Sequence, residues 1–199
     1  MISVGIDYSI SSPAVCVHTG IEEFTYDACK FLAIPPFKKR TPFAESYNNK
    51  FYFVENLGAG GFPIQRMLHL ANTCADFIRI YGGDSYCVEG YSFGGNGQVF
   101  QLAENCGIMK SKLHEYNVKQ TATPTPSEIK KFATGKGNAK KYHMVEAFKE
   151  ETGANLYDIF ELECNPIKYS MSNIPSPIDD IVDAYFICKM HHVMLANDK

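Results

Sequence analysis

Met1-Ile2-Ser3-Val4-Gly5-Ile6-Asp7 opens the chain with a strict alternation, in which Ile2, Val4 and Ile6 are separated by Ser3, Gly5 and Asp7. That is the period of a β-strand with one apolar face. It places a carboxylate, Asp7, within an otherwise apolar strand. Residues 15–18 have the character of the returning arm of a hairpin, and 22–26 are expected to add a third strand. Next, Pro35, Pro36, Pro42, Gly58, Gly60, Gly61 and Pro63 punctuate a segment that reads as an insertion over 35–62, with a strand expected at 51–54.

Further along, apolar residues recur at helical spacing over 64–80 until Gly82-Gly83 stops the run. Tyr86-Cys87-Val88-Glu89 reads as a buried strand ending in a carboxylate. A helix is expected over 98–116, a strand over 118–122, and a short helix opened by Pro126-Ser127-Glu128. Gly135-Lys136-Gly137-Asn138 interrupts the pattern before a helix over 139–151. A weakly patterned insertion near 154–178 leads to a last helix over 178–195. Strands dominate the first third and helices the rest, which predicts an α/β fold, a mixed sheet covered by helices.

A length of 199 residues favours one domain spanning 1–199, and 45% hydrophobic with 21% charged residues is enough to build a core. The net charge of −3 excludes binding to nucleic acid by bulk positive charge. Seven cysteines show no Cys-x2-Cys to Cys-x4-Cys pair, so no zinc ribbon or redox motif is written, and reduced, buried thiols are expected. No basic leader and no run of 18 apolar residues occur, which predicts a soluble cytoplasmic protein with no membrane partner, in the host cytoplasm if the chain is viral.

The sharpest chemical signal is a set of acids where burial is costly: Asp7, Glu89, and Asp179-Asp180-Ile181-Val182-Asp183 at the head of an apolar helix. Asp180 and Asp183 are three apart and Asp179 and Asp183 four apart, so two of them can project from one helical face. Acids in a first helical turn also favour the macrodipole, and a lone strand aspartate can cap a turn. If the three segments converge, they offer hard oxygen ligands suited to Mg2+ or Mn2+. Two such ions promote in-line phosphodiester hydrolysis.

Gly5-Ile6-Asp7-Tyr8-Ser9, Val88-Glu89-Gly90 and Asp180-Ile181-Val182-Asp183-Ala184 follow one another in the order of the acids of RuvC-type Holliday junction resolvases. Ile129-Lys130-(x4)-Gly135-Lys136-Gly137-Asn138-Ala139-Lys140-Lys141 is similar to that family's lysine, Gly-x-Gly, lysine segment. The chain resembles a RuvC-type resolvase of the ribonuclease H-like superfamily, with a viral or phage branch as one form of that resemblance. The resemblance covers nearly the whole chain apart from the insertions. It implies a ribonuclease H-like mixed five-stranded sheet flanked by helices, and Asp7, Glu89, Asp180 and Asp183 as acids holding two Mg2+ ions. Asp179 stands in reserve should the register slip by one. Lys130 and Lys141 would lie near the scissile phosphate, with Lys141 catalytic, and Lys136 and Lys140 would join them in DNA binding. Tyr91 and Phe93, just beyond Glu89, would meet bases at the junction, though core packing explains them equally well. The implied activity is that of a crossover junction endodeoxyribonuclease, a homodimer on four-way DNA, with residues 98–113 available for the interface.

Between Lys110 and Lys141 eight lysines face two glutamates, a local balance of +6, which predicts salt-sensitive phosphate binding. Lys130 and Lys141 would otherwise belong to a solvated helix face. His191 and His192 lie some 12–13 Å along the helix from Asp183 and are expected at a surface or helix end, and His143 is likewise expected to be structural. No serine stands in a nucleophile-elbow context and no Walker loop is present. The competing readings are a nuclease of the same fold acting on RNA–DNA hybrids, forks or flaps, and a junction-binding protein without turnover. A duplicated actin-like kinase would need more chain.

Overall fold

The computed structural model describes residues 2–20, 22–36, 46–47, 49–56, 63–90, 99–162 and 174–197. The opening alternation forms β1 (Ser3–Asp7), paired antiparallel with β2 (Ala14–His18), which is paired antiparallel with β3 (Cys29–Ala33). On its other side β1 runs parallel to β6 (Ser85–Val88), and β6 runs parallel to β7 (Lys119–Ala122). These are the five strands of the expected mixed sheet. The insertion extends it, because β5 (Phe51–Phe53) lies parallel to β3 and β4 (Ser46–Tyr47) antiparallel to β5. Among the described residues the sheet therefore has seven strands, in the order β4-β5-β3-β2-β1-β6-β7.

The third strand is not at 22–26 but at Cys29–Ala33, after a single 3-10 turn at Tyr26–Ala28. β3 has neighbours on both sides and is nearly all buried, so it reads as an apolar run without alternation. Phe24 and Tyr26 belong instead to an aromatic cluster. Phe24 stacks on His18 at 4.6 Å and Tyr26 meets Phe148 edge-on at 5.7 Å.

Helices cover both faces. Helix α1 (Pro63–Ile80) and α2 (Val99–Glu115) bury Leu70, Cys74, Ile78, Met109 and Leu113 against Val4, Ile6, Val15, Val17, Tyr86 and Val88. The opposite face, carrying Cys16, Phe31 and Cys87, is covered by α3 (Pro126–Thr134), α4 (Lys141–Thr152), the four-residue α5 (Leu156–Ile159) and α6 (Ile178–Asn197). The short α5 falls in the second insertion. α6 lies directly on β1, where a Cβ built on Gly5 would stand 2.1 Å from the backbone nitrogen of Cys188 and 2.4 Å from the carbonyl oxygen of Ala184. Only glycine admits so close an approach.

Two local devices set α3 and α4 in place. Thr125 and Glu128 form a reciprocal capping box at the start of α3. Gly135 ends that helix in the left-handed region (φ 76°), its N–H bonding Lys131 O at 2.8 Å. The next helix begins at Lys141 rather than 139, with Lys140 as its N-cap. Among the described residues Cys16, Cys29, Cys74, Cys87, Cys106 and Cys188 are buried and form no disulfide, and no helix is long and apolar enough to cross a membrane.

Candidate functional site

Side-chain alternation along β1 sends Ser3, Gly5 and Asp7 to the α6 side and Val4 and Ile6 to the α1/α2 side. The parallel neighbour repeats the rule. Gly5 pairs with Cys87 and Ile6 with Val88, so Asp7 and Glu89 come next in register, and Glu89 N–H donates to Ile6 O at 3.1 Å. Two carboxylates thus leave adjacent strands on the same face at the same end.

The last helix brings the others. Cys188 seats against Gly5. Five residues of helix back from Cys188 to Asp183 span about 7.5 Å, and two residues of strand from Gly5 to Asp7 span about 6.6 Å. Asp183 therefore arrives level with Asp7. Asp179 and Asp180 are buried, while Asp7, Glu89 and Asp183 are partly buried.

The shared space is electrostatically costly, and the acids register it. Burial, then the charges of Glu89, Asp183, Asp180 and Asp179, hold the Asp7 carboxyl well above the usual carboxylate range. Burial, reinforced by Glu89 and Asp179 against the pull of Lys141, raises Asp183 to about 8. Asp180 is raised to about 7 by burial and Asp179, partly offset by hydrogen bonds from Ser176 and Ser12 and by Lys141. Glu89 is also raised by burial, against a hydrogen bond with Asp7 and the charges of Lys130 and Lys141.

Asp180 and Asp179 have definite partners. Ser12 Oγ donates to Asp180 Oδ1 at 3.2 Å and Ser176 Oγ to Asp180 Oδ2 at 2.6 Å. Lys141 Nζ forms an ion pair with Asp179 Oδ2, and Asp179 Oδ1 is buried without a partner among the described residues. Burial pulls the Lys141 ammonium down, but the bond to Asp179 and the charges of Asp179, Asp183 and Asp180 outweigh it, and the net shift is upward. Ser12, Ser176 and the Asp179–Lys141 pair are contacts that sequence inspection missed. Only the serine-rich Ser9-Ile10-Ser11-Ser12 hairpin loop hints at the first.

The donor set consists of carboxylates alone, which suits a hard divalent cation. Among the described residues no three His, Cys, Asp or Glu side chains stand in an arrangement ready to hold a metal ion. The acids repel one another, and the Ser12 and Ser176 hydroxyls and the Lys141 ammonium offset part of that cost. The chemistry of the set fits Mg2+ or Mn2+, and binding would require these carboxylates to turn toward a common point.

The basic segment does not form one surface. Lys110 and Lys112 lie on α2, on the sheet face opposite the acids, and Lys112 pairs with Glu115 at 2.9 Å. Lys119 opens β7, at the edge of the sheet. Lys130 and Lys131 on α3, Lys136 in the following loop, and Lys140 and Lys141 at the start of α4 belong to the acid side. Of these, Lys130 and Lys141 act on Glu89 by their charge. Tyr91 and Phe93 lie outside the described residues.

The histidines have structural tasks. His191 is fully buried rather than at a surface: Val4 N–H donates to its Nδ1 at 2.9 Å, and its Nε2 lies 3.1 Å from Thr121 Oγ1. Burial pushes it down to about 4, so it is neutral. His192 Nδ1 meets Ser3 Oγ at 3.0 Å, and His143 Nδ1 accepts from Lys140 N–H at the start of α4.

No family model and no curated protein matches this chain. Among solved structures, RuvC from Thermus thermophilus aligns over 98% of this chain and 96% of its own, at 14% identity and a TM-score of 0.60. T. thermophilus RuvC in complex with Holliday junction substrate aligns over the same shares, at 12% identity and a TM-score of 0.63. At such identities the likeness is one of architecture: over nearly its whole length this chain has the ribonuclease H-like α/β fold of RuvC.

Proposed function

We propose that this chain is a divalent-metal-dependent endonuclease that cuts branched DNA, four-way junctions above all, by phosphodiester hydrolysis. One observation carries the reading. Acids from three remote segments, Asp7, Glu89 and the Asp180/Asp183 pair, meet at one end of the sheet in a space where their charges are unfavourable without a cation. The substrate class rests on the shared fold, since T. thermophilus RuvC has been solved with Holliday junction substrate.

In this reading Asp7, Glu89, Asp180 and Asp183 hold two Mg2+ or Mn2+ ions. Such ions supply an activated water and stabilise the leaving oxygen. Ser12 and Ser176 orient Asp180 through neutral hydroxyls, which add no charge of their own. Lys141, at the rim of the pocket, offsets negative charge on the phosphate, with Lys130 beside Glu89. Lys136 and Lys140 hold the neighbouring backbone, and Tyr91 and Phe93 meet bases. One chain carries one such pocket, whereas a four-way junction needs two paired incisions, so a homodimer follows. Phe100, 83% exposed near the start of α2, and the exposed Ile64 and Leu68 on α1 supply an apolar face for the second copy.

The test is nicking of a synthetic four-way junction in Mg2+, beside a fork, a flap, an RNA–DNA hybrid and a linear duplex. Wild-type protein is expected to cut the junction best. Asp7→Asn and Glu89→Gln are expected to lose at least about a thousandfold in rate, about 4 kcal/mol of transition-state stabilisation, while still binding the junction. Full Mg2+-dependent nicking by both variants would overturn the site. A preference for the hybrid would overturn the substrate, and tight binding without turnover would leave a junction-binding protein.

A further inference from the structure

The buried acids include one more than four metal ligands require, and its surroundings differ from the rest. Asp180 receives hydrogen bonds from two neutral hydroxyls, one on each oxygen. Asp179 receives a full positive charge from Lys141 on one oxygen, and its other oxygen is buried with no partner among the described residues. Lys141 is thus, among the described residues, the only direct partner of that carboxylate. The pair is lopsided in exposure, with the Asp179 side chain 10% exposed and that of Lys141 54%. The acid is the fixed end and the lysine the reaching end.

We infer that Asp179 is a positioning residue for Lys141 and not a metal ligand, an inference that rests on the nuclease reading above. Held from α6 by Asp179, the ammonium stands at the mouth of the pocket formed by Asp7, Glu89, Asp180 and Asp183. If Lys141 swung away, Asp179 would be left buried and uncompensated, and this cost keeps the ammonium in place. Consecutive aspartates at the head of one helix therefore divide the work. Asp179 faces a cation of the protein, and Asp180 faces the cations that the protein recruits. The division is one of environment, since the two side chains are chemically identical.

The experiment compares wild type, Asp179→Asn, Asp179→Glu, Asp180→Asn, Lys141→Ala and the double variant Asp179→Asn/Lys141→Ala, each verified as folded by circular dichroism. Mn2+ binding by isothermal titration calorimetry is read alongside kcat and KM for junction nicking. Asp179→Asn is expected to keep Mn2+ affinity within about twofold and to lose at least about tenfold in kcat at unchanged KM. Asp180→Asn is expected to lose Mn2+ binding. Asp179→Glu is expected to recover part of the rate, and the double variant to be no slower than Lys141→Ala alone. Loss of Mn2+ affinity in Asp179→Asn comparable to that in Asp180→Asn would overturn the inference, as would a wild-type kcat in Asp179→Asn or additive losses in the double variant. Wild-type protein that neither binds Mn2+ nor nicks DNA would overturn the nuclease reading and this inference with it.

Discussion

The two faces of the central sheet are made from the same strands and do different work. Val4 and Ile6 of β1 and Tyr86 and Val88 of β6 point into an apolar layer closed by α1 and α2. Gly5 and Asp7, with Cys87 and Glu89, point the other way, toward α6, where apolar packing gives way to acids at one end. On the first face, packing stabilises the fold. On the second, backbone and helix are brought together so tightly that carboxylates from distant segments share one space. A strand's twofold alternation lets adjacent residues serve stability and chemistry separately, Ile6 beside Asp7 and Val88 beside Glu89.

This contrast can be broken most sharply at Gly5. A β-carbon there meets backbone atoms of α6 at 2.1 and 2.4 Å, and no rotamer change relieves them. Gly5→Val is expected to cost more than about 3 kcal/mol in urea unfolding or to prevent folding altogether. A Gly5→Ala protein as stable as wild type would show that α6 does not lie against β1 as described. On the other face the sensitivity has the opposite sign, to lost volume. Ile6→Ala is expected to cost about 2–5 kcal/mol through the cavity it leaves, while nicking per folded molecule stays unchanged. Loss of activity without loss of stability in that variant would contradict the division.

The acid face also predicts its own pH dependence. Asp183 is raised from an ordinary value of 3.8 to about 8 by burial and neighbouring charge in the metal-free fold. Between those values the folded protein binds more protons at this site than the unfolded chain, so stability falls as pH rises through the window. Asp183→Asn removes that dependence. It is expected to melt with wild type near pH 4–5 and about 5 °C above it at pH 8.5, in metal-free buffer. His18 and His191, lowered to about 4 chiefly by burial, tilt stability the other way below pH 6.5 in both proteins and cancel in the difference. A gap independent of pH would contradict the raised carboxyl. The smallest effect is expected at Thr125, whose capping box starts α3 ahead of Lys130. Thr125→Ala is expected to cost about 1 kcal/mol in the same urea unfolding.

Much of this was legible in the chain, because its elements obey local rules. The alternation from Ile2 to Asp7, the apolar run closing on Glu89 and the three-residue spacing of Asp180 and Asp183 each specify a direction for a carboxylate before any tertiary contact is known. What was not legible depends on contacts far apart in sequence. β3 escaped notice because a strand buried on both faces lacks alternation, while Phe24 and Tyr26 imitate a strand but stack among rings. Of the insertion strands, β5 lies where a strand is expected at 51–54, whereas the two-residue β4 was hidden by its short length and α5 by its four residues. The basic stretch from Lys110 to Lys141 looked continuous, yet β7 divides it between the two faces. Nothing in the spacing distinguishes Asp179 from Asp180. Ser12, Ser176 and Lys141 make that distinction only once the chain is folded.

The account stands on Asp7, Glu89, Asp180 and Asp183 forming one cation site. Anomalous diffraction from crystals soaked in Mn2+ tests this most directly. The predicted result is anomalous density held jointly by the carboxylates of β1, the end of β6 and the first two turns of α6. Manganese bound elsewhere on the molecule, or none bound among these side chains, would contradict it.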